Sequence, residues 1–233
     1  MSTVVINHVK DYDVMSARAA DIIENTIENT QDQYQCNLGL PTGDTPLGTY
    51  HQLVKKNLDW TNIATFNLDN YLDLSPDHPA SFNQYMRNNL HNQININKKN
   101  IFFPTTDQNY DDTISTHGGL DLILLGLGIN GHIAFNEPGS TVYSTSRIVD
   151  LLPQTLQINS KNFPSDSPVP TQAVTMGIST ILAARQVVLL VQGHRKLNIL
   201  KQAMWDCPSA EVPASFLQLH KNLQVFYCDG VEE

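Results

Sequence analysis

Two rhythms of apolar and polar positions alternate along the 233 residues of this chain. Short apolar runs read as buried strands, and stretches with an apolar residue every third or fourth position read as helices. Residues 4–6 predict a strand, and residues 11–30 carry a helical stripe at Val14, Ala17, Ala20, Ile23 and Ile27. A strand is expected over 36–40, a helix over 47–56 and a strand over 63–68, followed by a loop rich in Asp, Pro and Ser. A helix over 81–90 and a short strand over 101–103 come next, and then an apolar run over 120–125 that reads as another strand. A glycine turn and a polar segment reach to about Asp166, with the proline-bearing stretch 159–170 read as a surface loop or, alternatively, a lid. The last expected elements are a helix over 175–183, a strand over 186–191, a helix over 196–204 and a strand over 225–228. Such alternation predicts an α/β fold, a mostly parallel open sheet with helices on both faces. No repeat, low-complexity tract or linker divides residues 1–233, so one domain is expected.

Charge and composition narrow the partners. The 14 basic residues face 23 acidic ones, give a net charge of −9 and form no run. Nucleic acid is therefore not an expected partner, because its phosphate backbone needs a basic face. A small phosphorylated ligand remains compatible, since one or two cations and a few backbone N–H groups suffice. No apolar stretch reaches the roughly 18 residues that span a bilayer. The segment 1–8 lacks the basic start and long apolar centre of a signal peptide. The expectation is a soluble cytoplasmic protein without a membrane partner. Cys36, Cys207 and Cys228 form no C-x-x-C pair and read as reduced, structural thiols. His8, His51, His78, His91, His117, His194 and His220 show no ligand spacing, so no metal is expected.

In an open parallel sheet, ligands sit beyond the carboxyl ends of the strands. Four segments there carry candidate chemistry. The run 126–139 leaves a strand through Gly126, Gly128 and Gly131, then presents His132 and Glu137. Glycines allow backbone N–H groups to approach an anion, and an imidazole beside a carboxylate can move protons on whatever that anion anchors. A tight strand-exit turn with solvated His and Glu is the plainer alternative. Thr42, Gly43, Asp44 and Thr45 lie between a strand and a helix, with Thr45 as N-cap and Pro46 in the first helical position. That helix N-terminus suits an anion, though a well-capped turn would look the same. Asp69, just past a strand end, can be a general base for a carbon acid or simply a turn residue. Lys196, after the Gly193 turn, can supply a point charge for a phosphate or end as a solvated lysine.

Taken together, residues 40–46, 66–69, 131–139 and 193–196 resemble the glucosamine-6-phosphate deaminase (isomerase) family, in order and spacing along nearly the whole chain. The string G-H-I-A-F-N-E-P is the most specific piece, and residues 213–218 resemble the family's closing helix. The resemblance implies a catalyst that opens a cyclic amino-sugar phosphate, shuttles a proton between C2 and C1 and releases ammonium. It implies ring opening by His132, oriented by Asn130 and Glu137, and proton transfer by Asp69. It places the phosphate on Thr42, Gly43, Asp44 and Thr45, on the turn at Gly126 and Gly128, and on Lys196. No cofactor and no metal are implied.

Three positions depart from the family pattern. Asn130 stands where many members have an aspartate beside the histidine, although the shorter bacterial members share N-G-H; an amide holds the ring without adding charge. Asn70 replaces a glutamate, which removes an anionic neighbour of Asp69. Lys161 falls at a phosphate-clamping arginine and loses the bidentate fork. The last two imply a shifted substrate preference, with galactosamine 6-phosphate as an alternative to glucosamine 6-phosphate. Long allosteric members carry sequence beyond the position of Glu233 and a basic pair, of which Arg147 remains while Val149 occupies the second place. A monomer or small homo-oligomer without allosteric activation is the expectation. Two rival readings are a 6-phosphogluconolactonase-like hydrolase, from which the string after His132 points away, and a non-catalytic sugar-phosphate sensor.

Overall fold

The computed structural model describes residues 4–30, 33–164 and 167–230. The first residues of the N-terminal segment, 1–3, and residues 165 and 166 of the expected 159–170 loop lie outside the described residues. Strand β1 (Ile6–His8) sits two residues later than the sequence predicts, because its partner strand meets it only from the pair Ile6–Val225 onward. Helix α1 (Tyr12–Thr30) buries Met15, Ala19, Ala20, Ile23 and Ile27 along one face, and the Asp11 carboxylate caps it by accepting from the Val14 N–H at 2.9 Å. Strand β2 (Cys36–Leu40), helix α2 (Leu47–Lys55) and strand β3 (Ile63–Asn67) follow the periodicity closely.

Thr45 is not the N-cap of α2. That place falls to Pro46, whose side chain makes no capping bond, and the Tyr12 hydroxyl accepts from the Gly48 N–H at 2.7 Å instead. Strand β4 (Asp69–Tyr71) precedes helix α3 (Phe82–Asn89), which Ser81 caps by accepting from the Gln84 N–H. Strand β5 (Ile101–Phe102), helix α4 (Tyr110–Thr116) and strand β6 (Leu122–Gly126) lead to the glycine turn. The segment expected to be polar loop contains strand β7 (Arg147–Asp150) and helix α5 (Pro153–Ser160), which starts on a proline. The helix expected over 175–183 is shorter. Its first residue ends strand β8 (Gln172–Thr175), and helix α6 (Ile178–Leu182) begins only after Gly177. Strand β9 (Val187–Gln192), helix α7 (Leu197–Trp205), a 3-10 stretch over Pro213–Leu219 in place of the closing helix, and strand β10 (Leu223–Cys228) complete the chain.

Seven strands form one sheet in the order β1-β10-β9-β6-β2-β3-β5, and every pairing in it is parallel. Both faces are covered, as the apolar runs require. Leu122, Leu124, Val188 and Leu190 pack with α1, α2 and α3 on one side. Ile123, Leu125, Leu189 and Val191 pack with α4, α6 and α7 on the other. Cys36 and Cys228 are buried in the sheet, whereas Cys207 is exposed and has no structural packing role.

A second, antiparallel sheet of three strands, β4-β8-β7, was not predicted. Its strands are only three or four residues long. Such lengths carry too few alternations to stand out as a pattern. A third apolar cluster of Tyr71, Phe135, Leu151, Phe163 and Ala173 packs against this sheet. Phe163 lies within the expected surface loop, yet its ring meets Tyr71 at 5.5 Å.

Candidate functional site

The loops that leave β2, β3, β6 and β9 carry all the segments singled out in the sequence, and these strands are neighbours in the order β9-β6-β2-β3. Four adjacent strands span roughly 15 Å at the usual inter-strand spacing. The Thr42–Thr45 turn, Asp69, His132 and Lys196 therefore share the carboxyl end of the sheet, over the width of a small phosphorylated ligand.

The turn after β6 holds its histidine tightly. Gly128 donates to the His132 carbonyl at 2.9 Å, and Gly131 to the Gly128 carbonyl at 3.0 Å. A Cβ on Gly128 would stand 2.2 Å from the imidazole, so only glycine leaves room for the ring. The ring Nδ1 lies 2.6 Å from Asn130 Oδ1, and the His132 backbone N–H donates weakly to the same oxygen at 3.3 Å. Asn130 Nδ2 donates to Glu137 Oε2 at 2.8 Å. An amide oxygen can only accept, so in the neutral ring the proton sits on Nδ1 and Nε2 is left as a base. Burial pushes the Glu137 carboxyl up, but the His132 ring beside it and the hydrogen bonds from Thr155 and Asn130 outweigh that and hold it at about 2. Glu137 is thus an ionised acceptor that orients the relay rather than a proton donor.

Asp69 is 7% exposed, and no hydrogen-bond donor among the described residues reaches its carboxylate. Burial alone lifts its pKa to about 7. A carboxylate with that affinity for protons is a stronger base than a solvated one and still ionises near neutrality. Its neighbours are uncharged: Tyr50 and Tyr110, both buried, spend their hydroxyls on the Pro41 and Asn67 carbonyls.

The small sheet ties the two halves of the site together. Asp69 pairs with Thr175, and Thr175 with Arg147. The Thr175 hydroxyl accepts from the Phe135 N–H at 3.1 Å, and Asn136 donates to the Met176 carbonyl at 2.8 Å. Arg147 donates to Asn136 Oδ1 and Ser140 Oγ, each at 2.9 Å. The histidine loop is therefore bolted to the strand that starts at Asp69.

Strand alternation turns Asn70 to the opposite face from Asp69 and Tyr71, where it reaches the Pro104 carbonyl at 3.4 Å. The expected influence of Asn70 on substrate preference through Asp69 has no geometric basis. On that outer face opens a cavity of about 300 Å³, lined by Thr105, Gln108, Asp111, Arg147 and Val174, which includes neither Asp69 nor His132.

The residues expected to hold an anion come from three elements. Tyr85 Oη donates to the Gly43 carbonyl at 2.5 Å, and Tyr12 Oη lies 3.1 Å from the Asp44 and Thr45 carbonyls, so two hydroxyls brace the Thr42–Thr45 turn. Lys161, at the end of α5, reaches Asp44 Oδ2 at 3.4 Å. Lys196 follows β9 in a short 3-10 turn, where burial lowers its pKa and the Asp44 charge opposes that shift. Asp44 itself carries the wrong sign for a phosphate, so only its backbone suits the role expected of it. Gly126 is the last residue of β6 and keeps an ordinary strand conformation. Sequence reasoning missed Thr155, Thr175, Tyr12 and Tyr85, because their partners lie far away in the chain. Among the described residues, no group of three or more His, Cys, Asp or Glu side chains is arranged to hold a metal ion.

A curated glucosamine-6-phosphate deaminase of Clostridium tetani is 42% identical over 230 residues, covering 93% of this chain and 94% of its own. One of Lachnoclostridium phytofermentans is 39% identical over 236 residues, covering 96% and 98%. Among solved structures, a monomeric glucosamine-6-phosphate deaminase superposes with a TM-score of 0.90 at 36% identity, covering 96% of each chain. A 6-phosphogluconolactonase of Trypanosoma cruzi shares the fold, with a TM-score of 0.79 at 20% identity, covering 98% of this chain and 96% of its own. A profile of the glucosamine-6-phosphate isomerases/6-phosphogluconolactonase family matches residues 10–226, and the chain belongs to that family.

Proposed function

We propose that this protein is a deaminating aldose–ketose isomerase that converts a 2-amino-2-deoxyhexose 6-phosphate and water to a ketose 6-phosphate and ammonium. The observation that carries the reading is the buried, donor-free Asp69 at the same end of the sheet as the oriented His132 relay. Glucosamine 6-phosphate is the substrate that the curated relatives' names support, with galactosamine 6-phosphate as the second candidate.

In the first step His132 Nε2 takes the anomeric O–H proton and passes it to the ring oxygen, which opens the sugar to its aldehyde. Asp69 then removes the proton from C2 to give an enol-amine and returns it to C1. The C2 iminium that results adds water, expels ammonia and leaves the ketone. The phosphate rests on Thr42, the Gly43 to Thr45 backbone, Lys161 and Lys196. That charged group also retains the substrate inside a cell, which supports a cytoplasmic location for the enzyme. No described helix is long and apolar enough to cross a membrane. The monomeric relative supports action as a monomer or small homo-oligomer.

Lactone hydrolysis needs no base for a carbon acid and would leave Asp69 without a task. The test is ammonium release from glucosamine 6-phosphate and galactosamine 6-phosphate side by side, with 6-phosphogluconolactone as a control. Release from either amino sugar is expected. Silence on both, with phosphosugar binding retained, would replace the reading with the sensor.

A further inference from the structure

Helix α5 places one hydroxyl where the reaction above does not use it. Thr155, in the first turn of α5, is buried and donates to Glu137 Oε1. The other oxygen, Oε2, accepts from Asn130. Both carboxylate oxygens are thereby engaged, and Glu137 cannot rotate without breaking a bond. As a pure acceptor it holds the Asn130 amide with Nδ2 toward itself, which leaves Oδ1 facing His132 Nδ1.

We propose that Thr155 is a positioning residue for His132, acting through Glu137 and Asn130 and touching no substrate. The hydrogen bonds run from Thr155 to Glu137, from Asn130 to Glu137 and from His132 to Asn130, and His132 Nδ1 also lies 3.4 Å from Glu137 Oε2. Together they fix which ring nitrogen is the base. The same helix ends at Lys161, which sits against Asp44. The kinetic consequence rests on the deaminase reading; the effect on the imidazole does not.

The test uses Thr155→Val, which keeps the shape and removes the hydroxyl, and Thr155→Ser, which keeps the hydroxyl. Ring-nitrogen NMR of 15N-histidine protein, with His132→Gln to assign the signals, reads the tautomer without substrate. The unaltered protein and Thr155→Ser should show the proton on Nδ1, and Thr155→Val a mixture. In Thr155→Val, kcat/KM for ammonium release should fall on the order of tenfold, as expected for losing a hydrogen bond to a charged group. Thr155→Ser should restore it. An unchanged tautomer in Thr155→Val would overturn the proposal. Should Thr155→Val fail to fold, Thr155→Ala takes its place under the same criteria. If the unaltered protein releases no ammonium, the function proposed above falls, while the NMR result still decides this one.

Discussion

Burying a carboxyl without a hydrogen-bond donor disfavours its charged form, and Asp69 carries that penalty in full. For a group whose folded pKa is raised from 3.8 to about 7, the folded state holds the proton more tightly than the unfolded one. Stability is then greatest below pH 4 with respect to this group and is lost as pH rises toward 7, by about 4 kcal/mol. Asp69→Asn should abolish ammonium release while raising the melting temperature at pH 8, a gain that shrinks as pH falls toward 4. Equal melting temperatures at pH 8 would show that burial of this carboxylate costs nothing. Gly128 makes a second argument from a single atom. Gly128→Ala brings a Cβ to 2.2 Å from the His132 ring, so the ring must leave its place beside Asn130. We expect kcat to drop on the order of a hundredfold, in the range of general acid–base catalysis, with the fold intact by circular dichroism. Unchanged kcat would mean that the ring position is not needed.

Elements decide what the single residues cannot. The order β9-β6-β2-β3 brings segments 40–46, 66–69, 126–139 and 193–196 side by side although they are scattered over 150 positions of chain. The small sheet then locks the histidine loop onto β4 through Thr175 and Asn136. Helix α5 bridges the two ends of the site, with Thr155 on Glu137 and Lys161 facing the anion turn. Its lysine is 60% exposed and pairs with an Asp44 that is 80% exposed. That surface pair adds little stability and is free to exchange Asp44 for a phosphate. Lys161→Arg should lower KM for the sugar phosphate several-fold, because the guanidinium grips phosphate in bidentate fashion, and leave kcat about unchanged. Steady-state kinetics check this, and a raised KM would remove Lys161 from the phosphate's contacts.

Across the whole molecule, a net charge of −9 does not attract a phosphate, so the proposed phosphate site would depend on the local field of Lys161, Lys196 and the braced turn. Inorganic phosphate should therefore raise the melting temperature, by an amount equal to about 2.7 kcal/mol at a hundred times its Kd. Lys196→Met should reduce that shift in a thermal-denaturation titration, and an undiminished shift would move the anion elsewhere. Much of the large sheet was readable beforehand. The five-residue runs at β2 and β3 are wholly buried and apolar enough to mark themselves. Strands β7 and β8 were not readable, since Arg147, Asp150, Gln172 and Thr175 break any apolar rhythm and become strand only by pairing with each other. The N-cap of α2 and the 3-10 form of Pro213–Leu219 escaped the sequence for a related reason, because a distant hydroxyl braces the one and the Gly131 carbonyl, accepting from the Ala214 N–H, holds the other.

By itself the sequence determined the strand–helix alternation, the parallel sheet and the candidate chemistry at Asp69, His132, Glu137 and Lys196, because each of these rests on local spacing and local residue type. Only the tertiary structure decided that Asn70 turns away from Asp69, that Asp44 pairs with Lys161, and that Thr155 supports Glu137. It also decided that Asp69 holds its proton to about pH 7. Those four outcomes depend on burial and on partners distant in the chain, and neither is written in the spacing of neighbouring residues.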